Sequence, residues 1–423
     1  MQPDFRRIAS QESAGSGVRS ARGDRRTVHT FSSVERMINN VVFPCRFPGG
    51  PVLLFFAFKF SQESRMLQKA LVLVFVLASI VGLVGCGKTA SHYVYATVPA
   101  ASQLAVFRED PYSGILTQLS ESPYTVGSGA QSVVIHPSGK YLYVANPGQG
   151  ENDVSLFDIN SDGTVSEVTP RTTVGTLPFL LAMDPAGNYL YVANALSNSI
   201  SVFSIAASSG VLTAVAGSPF QINLSPKGMQ LSPSGSFLYV SAPSSPTGVI
   251  AVFSVTAGVL SSSPVGLTST ADNDPAGIAI SPNGSYLYTA NSTANSISIY
   301  SIGSSGTLTQ VPQSPLADPF QHPVALIVDP TGNYLYVTNQ GSSNISTYSI
   351  TSGTGFPVAI TDSPFGSETQ PSFLVLDPNG KYLYVGNQSG SAGIQAFGVS
   401  SGSLNSIATY SVGNSPTSIA ILQ

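Results

Sequence analysis

From residue 92 to the C-terminus the chain cycles through one pattern of apolar and polar positions. The stretch FLLAMDPAGNYLYVANALSNSISVFSIAASSGVLTAV, Phe179 to Val215, shows a full cycle. An almost continuous apolar run, Leu180 to Met183, suits a strand buried on both faces. Asp184-Pro185-Ala186-Gly187 then supplies a tight turn: Pro presets the second dihedral, Asp bonds the backbone and Gly accepts positive φ. The next strand, Tyr189 to Ala193, alternates Tyr189 and Tyr191 with Leu190 and Val192, so both of its faces are apolar. A third strand, Ile200 to Ile205, keeps the two-sided pattern. The fourth, Val211 to Val215, is shorter and more polar, as a sheet edge should be.

The aromatic segment makes the period countable. It reads YVYATV at Tyr93, YLYVAN at Tyr141 and Tyr189, FLYVSA at Phe237, YLYTAN at Tyr286, YLYVTN at Tyr334 and YLYVGN at Tyr382, in steps of 48, 48, 48, 49, 48 and 48 residues. Self-similarity at this spacing means one supersecondary unit copied seven times, each copy burying its apolar faces against the next. Four antiparallel strands per unit and seven units predict an all-β fold, a seven-bladed β-propeller spanning residues 92–423. The first copy begins with a second strand at His92 and lacks a first. The C-terminal SPTSIAILQ, Ser415 to Gln423, matches a first strand and stops. Three N-terminal strands plus one C-terminal strand therefore complete one blade and close the ring.

Charge changes the picture only before the repeats. Of 17 Lys and Arg, 11 precede residue 86, whereas 16 of 21 Asp and Glu follow it. The repeat region is thus weakly acidic and has no basic stripe for nucleic acid. Met66 to Cys86, MLQKALVLVFVLASIVGLVGC, combines a cationic start at Lys69, an apolar run from Ala70 to Val84 and a small residue before cysteine. It reads as a secretory signal, 66–85, rather than a spanning helix. Leu83-Val84-Gly85-Cys86 resembles the bacterial lipobox, which implies diacylglycerol on Cys86 and a chain anchored to the cell envelope through a short tether, 86–91. Residues 1–65, Arg- and Ser-rich, then form a leader outside the mature protein, with Met66 as the expected start of translation. Cys45 and Cys86 are the only cysteines, so stability of the exported domain must come from packing and sheet closure.

The YLYVAN segments that follow DPxG turns resemble YVTN-type propeller repeats and, more broadly, the lactonase family related to 6-phosphogluconolactonase. That resemblance implies a His-rich start to one inner strand, a Pro-Arg-His start to another, and a Glu near the end of the second strand that follows. Here the corresponding positions read Ala130-Gln131-Ser132, Pro226-Lys227-Gly228 and Ser241-Ala242-Pro243. Lys227 alone keeps a charge.

Residues before each first strand, and loops after each second strand, should meet at the channel mouth, where convergent polar groups form the default ligand site. That ring is expected to hold Gln131, Arg171, Lys227, Asp272, Asp274, His322, Gln370 and Asn414. His322 is the candidate general base, because imidazole exchanges protons near neutral pH. Lys227 is the candidate anion holder. His136 fills the turn slot held elsewhere by Asp184, Ser232, Ser281, Asp329 and Asp377, and reads as a turn cap. Asn146, Asn194, Asn291, Asn339 and Asn387 end second strands, where Asn is suited to bonding the following turn. Asp272 and Asp274 could supply oxygens to Ca²⁺; without further ligands no metal is assigned, and no cofactor motif is present. The leading expectation is an envelope-anchored module that binds or scaffolds a sugar, peptide or protein partner. The alternatives are a hydrolase of a sugar lactone, with His322 activating water and Lys227 holding an anionic group, and a purely structural envelope protein.

Overall fold

The computed structural model describes residues 92–244, 246–270, 274–388 and 393–422. The leader, the signal segment with Cys86, the tether and Asp272 lie outside the described residues.

Seven antiparallel sheets, each built on a four-strand path, are arranged as seven blades. Blade 3 shows the plan: Pro178–Met183 innermost, then Tyr189–Asn194, Ser199–Ile205 and Leu212–Ala214 at the edge. The inner strands Ser418–Leu422, Ser132–Ile135, Pro178–Met183, Gly228–Leu231, Pro275–Ile280, Pro323–Val328 and Pro371–Leu376 belong to blades 1 to 7 in that order. Each packs against the next, and the last against the first. Blade 1 is the composite one: Ser418–Leu422 pairs with His92–Val98, from Thr97 opposite Ser418 to Tyr93 opposite Leu422. Thr417 and Ser418 extend this clasp to blade 2, where the Thr417 hydroxyl donates to the Gln131 carbonyl (2.9 Å) and Ser418 Oγ accepts from the Val133 N–H (3.2 Å).

The fourth strand differs from expectation. In five blades it is divided: in blade 3 both Leu212–Ala214 and Phe220–Gln221 pair with Ser199–Ile205. A Ser-Pro dipeptide fills the gap. Ser122, Ser218, Ser314 and Ser363 each accept a third-strand N–H, from Val106, Val202, Ile299 and Thr347 at 2.8 to 2.9 Å, which replaces a missing ladder bond.

The aromatic triplet explains how blades join. Its third residue, Tyr95, Tyr143, Tyr191, Tyr239, Tyr288, Tyr336 or Tyr384, is fully buried. In five blades its hydroxyl donates to a glycine carbonyl in the next blade: Tyr95 to Gly163, Tyr143 to Gly210, Tyr239 to Gly306, Tyr288 to Gly355 and Tyr384 to Gly114, at 2.7 to 3.1 Å. Burial pushes these phenols up from their ordinary pKa, so they remain donors. The first aromatic lies on the same glycine: a Cβ on Gly163, φ +82°, would overlap the Tyr93 ring, and one on Gly114, φ +68°, the Tyr382 ring. The triplet is thus one side of a blade-to-blade lock whose other side is a hairpin glycine.

Candidate functional site

Inner and second strands run antiparallel, so inner-strand starts and second-strand ends share one end of the ring, the mouth end. Two kinds of inner-strand start occur there. In blades 1, 2 and 4 the ladder runs straight in: the N–H groups of Thr417, Gln131 and Lys227 donate to the carbonyls of Thr97, Ala145 and Ser241, at 3.1, 2.9 and 2.9 Å. In blades 3, 5, 6 and 7 a proline opens the strand and cannot donate, and the register shifts by one residue. The residue before proline then adopts positive φ at Leu177 (58°), His322 (53°) and Gln370 (56°). Its N–H turns to the preceding blade, to Asn152 Oδ1 (2.9 Å), Asn295 Oδ1 (2.9 Å) and Ser343 Oγ (3.4 Å) respectively. A bulge of this kind re-aims a side chain.

The sequence candidates are distributed as follows. Gln131, Lys227, Asp274, His322 and Gln370 all lie at inner-strand starts. Lys227 of blade 4 pairs with Asp274 of blade 5, Nζ to Oδ1 at 2.6 Å, with both side chains partly exposed. His322 is exposed, and its carbonyl accepts the Gln340 N–H at 2.9 Å. Gly341 stands beside the imidazole, where a Cβ would come within 2.8 Å of Cδ2, so only glycine leaves the ring its place. Gln340 and Gln388, the residues after two second strands, join blades 6 and 7 by a side-chain hydrogen bond of 3.1 Å.

Arg171 and Asn414 are placed differently from the expected ring. Arg171 belongs to the long outer strand Val165–Thr173, and the inner-strand start of that joint is Leu177. Its guanidinium is bound to Glu167 Oε1 (2.7 Å) and Glu151 Oε2 (3.1 Å). The unbroken outer strand of blade 2 carries Arg171 to the periphery, which a fixed repeat spacing does not reveal. Asn414 precedes the clasp strand, and Thr417 occupies the inner-strand start of blade 1.

His136 is buried in its turn: Nδ1 accepts the Ser138 N–H (3.0 Å), which leaves the proton on Nε2 to donate to the Gly187 carbonyl of the next blade (2.9 Å). In the same slot Ser232, Ser281, Asp329 and Asp377 accept the N–H of the second strand's first residue, at 2.7 to 3.1 Å. The strand-ending asparagines bond elsewhere than expected. Four of them donate Nδ2 to third-strand side chains rather than to turn backbone: Asn194 reaches Ser199 and Ser201, Asn291 reaches Ser296 and Ser298, Asn339 reaches Asn344 and Ser346, and Asn146 reaches Asp153 and Ser155. Alternating serines on the third strand were the overlooked sign of this contact.

Asp318 is a further mouth-end group that sequence reading missed. Its N–H bonds the Asn295 carbonyl just as those of Val126, Val174 and Ile222 bond the carbonyls of Ser102, Asn152 and Asn198, and those of Thr270 and Ser367 the carbonyls of Gly248 and Ser343, so it puts a carboxyl in a slot that is apolar or hydroxylic in those blades. It is buried, accepts from the Phe320 N–H at 3.1 Å, and its carboxyl is pushed up by desolvation. Aligning the repeats at this slot would have exposed it. Among the described residues no three His, Cys, Asp or Glu side chains converge as a metal site, and no helix is long and apolar enough to cross a membrane.

With this geometry in hand, comparison with known families is informative. The profile of the family described as lactonase, 7-bladed beta-propeller, matches residues 88–223 and 257–367, more than half of the chain. The chain belongs to this family. The unmatched interval 224–256 contains two of the three motif departures, the Lys227 strand start and Ser241-Ala242-Pro243, while Ala130-Gln131-Ser132 lies inside the matched range. A search of curated proteins finds no match. Among solved structures, a candidate 6-phosphogluconolactonase of Bacteroides fragilis is 18% identical with a TM-score of 0.67, covering 80% of this chain and 99% of that one. The periplasmic gluconolactonase of Pseudomonas aeruginosa is 17% identical with a TM-score of 0.63, covering 79% and 99%. At such identities the likeness is one of fold.

Proposed function

We propose that the protein is a lactone hydrolase, with a sugar lactone bound at the mouth end of the propeller. Membership of the lactonase family carries this reading, ahead of a purely binding or scaffolding ring. The side chains give it a chemical form. Water adds to the lactone carbonyl while His322 takes its proton; the ring C–O bond then breaks and the imidazolium returns the proton to the departing oxygen, leaving an open-chain hydroxy acid. An ammonium has three donors. Lys227 directs one at Asp274 and has others for the developing oxyanion. The positive-φ start at His322, tied to Asn295 and Gln340, holds the imidazole's backbone from two sides.

The test is hydrolysis of glucono-δ-lactone by the purified protein, corrected for the spontaneous rate. His322→Ala should lower the enzymatic rate by about 10²-fold or more, with the melting temperature unchanged. A rate that survives this substitution removes His322 from the mechanism. Among the described residues no carboxylate bonds the His322 ring, which favours the binding-module reading if no lactone is turned over. Anchoring through Cys86 is part of the proposal: Cys86→Ser should move the protein out of the membrane fraction.

A further inference from the structure

We infer that the mouth selects an uncharged sugar lactone and discriminates against its phosphorylated counterpart; this rests on the lactone-hydrolase reading. A phosphate monoester carries close to two negative charges at neutral pH, and proteins hold it with Arg, Lys or convergent backbone donors. Five Lys and Arg residues occur among the described residues: Arg108, Lys140, Arg171, Lys227 and Lys381. Three are at the wrong end of the ring. Lys140 and Lys381 immediately precede second strands, and Arg108 lies next to the end of a third strand, all opposite the mouth.

The two cations at the mouth end are already neutralised. Lys227 faces Asp274 at 2.6 Å. Arg171 faces two carboxylates, Glu167 and Glu151. Its charge is therefore outweighed locally, and Asp153 in the same cluster has its carboxyl pushed up, first by desolvation and to a smaller extent by the negative charge of Glu151 and Glu167, against the pull of Asn146 and Arg171. A phosphate approaching Lys227 meets Asp274 paired with it, and the ion pair would have to open before a new one formed. Apart from these ion pairs, His322 and the buried Asp318, the side chains named at the mouth are amides: Gln131, Gln370 and the Gln340–Gln388 pair. These donate to and accept from sugar hydroxyls without needing a countercharge. Hydrolysis of a neutral lactone here would create a carboxylate beside Asp274, so the product is repelled while the substrate is not.

The experiment compares kcat/KM for glucono-δ-lactone and its 6-phosphate with wild type and Asp274→Asn. The wild type should favour the unphosphorylated lactone. Asp274→Asn, which frees Lys227, should narrow that preference by about two- to fivefold, the range expected for one exposed pair, and the narrowing should fade as salt is raised. A wild-type preference for the phosphorylated lactone, or a ratio unmoved by Asp274→Asn, overturns the inference while leaving the hydrolase intact. If neither lactone is turned over, the hydrolase reading fails, and selectivity is read by calorimetry with gluconamide and 6-phosphogluconate on the same two proteins. Tighter binding of gluconamide by wild type supports the inference; tighter binding of 6-phosphogluconate, or of neither compound, overturns it.

Discussion

The joints between blades 3 and 4 and between blades 6 and 7 differ from the other five by one missing hydrogen bond. At all seven joints the first aromatic of a triplet lies over a glycine of the next blade: Tyr189 over Gly258 and Tyr334 over Gly402, as Tyr93 lies over Gly163. Yet the hydroxyls of Tyr191 and Tyr336 are buried without a partner, while their five counterparts donate to a glycine carbonyl. The cause is turn length. Thr256 pairs with Val259 and Ser400 with Ser403, so Ala257-Gly258 and Ser401-Gly402 are two-residue hairpins with both φ values positive. The other five turns are longer and bring the glycine carbonyl to the hydroxyl. Ring packing and hydroxyl satisfaction are therefore separable: the aromatic contact survives a shortened turn, and the hydrogen bond does not.

The clasp is the extreme case of a joint, since it is made by the two ends of the described chain. Removing residues 415–423 should lower stability by several kcal/mol, because it unpairs an inner strand and breaks the bonds from Thr417 and Ser418 to blade 2; calorimetry should show a large drop in Tm. Next in size, Gly163→Ala and Gly258→Ala should each cost about 2 to 4 kcal/mol, since both demand positive φ and both place a methyl group in an aromatic ring. Equal losses in chemical denaturation would show that the aromatic lock is common to both kinds of joint. A much smaller loss at Gly258 would mean the shortened joint is also loosely packed.

Tyr143→Phe and Tyr191→Phe separate the two classes directly. The first removes a bonded hydroxyl and leaves the Gly210 carbonyl without its donor, a loss of about 1 to 2 kcal/mol. The second removes an unpartnered one and should leave stability unchanged or slightly higher. Matching losses would dissolve the comparison.

The smallest effect concerns pH at the joint between blades 7 and 1. Glu109 is buried where four of the other third strands end in Ile159, Ile205, Ile302 or Ile350, and it lies 3.5 Å from His92 Nδ1. Desolvation raises its carboxyl above the ordinary value, against the opposing pull of Tyr384 and His92. A folded-state pKa above the unfolded one means that the fold binds this proton more tightly, so the contribution is full in acid and is lost as pH rises through the folded pKa. Relative to wild type, Glu109→Gln should therefore gain stability as pH is raised from acid to neutral. Denaturation midpoints across that range would show the trend, and parallel profiles would contradict it.

The fold was largely legible because its cause is repetitive. Alternation in YLYVAN, the DPxG turn and the unmatched first and last strands specify blades, strand order and closure without reference to a partner blade. The split fourth strand was less legible, since Ser218-Pro219 looks like an ordinary turn until its hydroxyl is seen in the ladder. For the candidate residues, strand position was legible and pairing was not. His322, Lys227 and Gln370 fall where the period puts inner-strand starts, but Arg171 was misplaced because blade 2 keeps an unbroken edge strand. Asp318 passed unnoticed because its burial depends on a neighbouring strand.

Local sequence by itself was enough for the number of blades, their strand order and the way the ring closes, because each depends on a pattern of side-chain size and polarity repeated within some 48 residues. Tertiary structure decided which groups neutralise one another. Lys227 meets Asp274 only across two blades, Arg171 meets Glu151 only because the outer strand returns beside the loop before the third strand, and the Tyr191 hydroxyl lacks a partner only because a turn in the next blade is short. Coulombic pairing and hydrogen bonding act over a few ångströms, and residues brought that close by the ring are separated along the chain by tens of residues whose spacing carries no record of the contact.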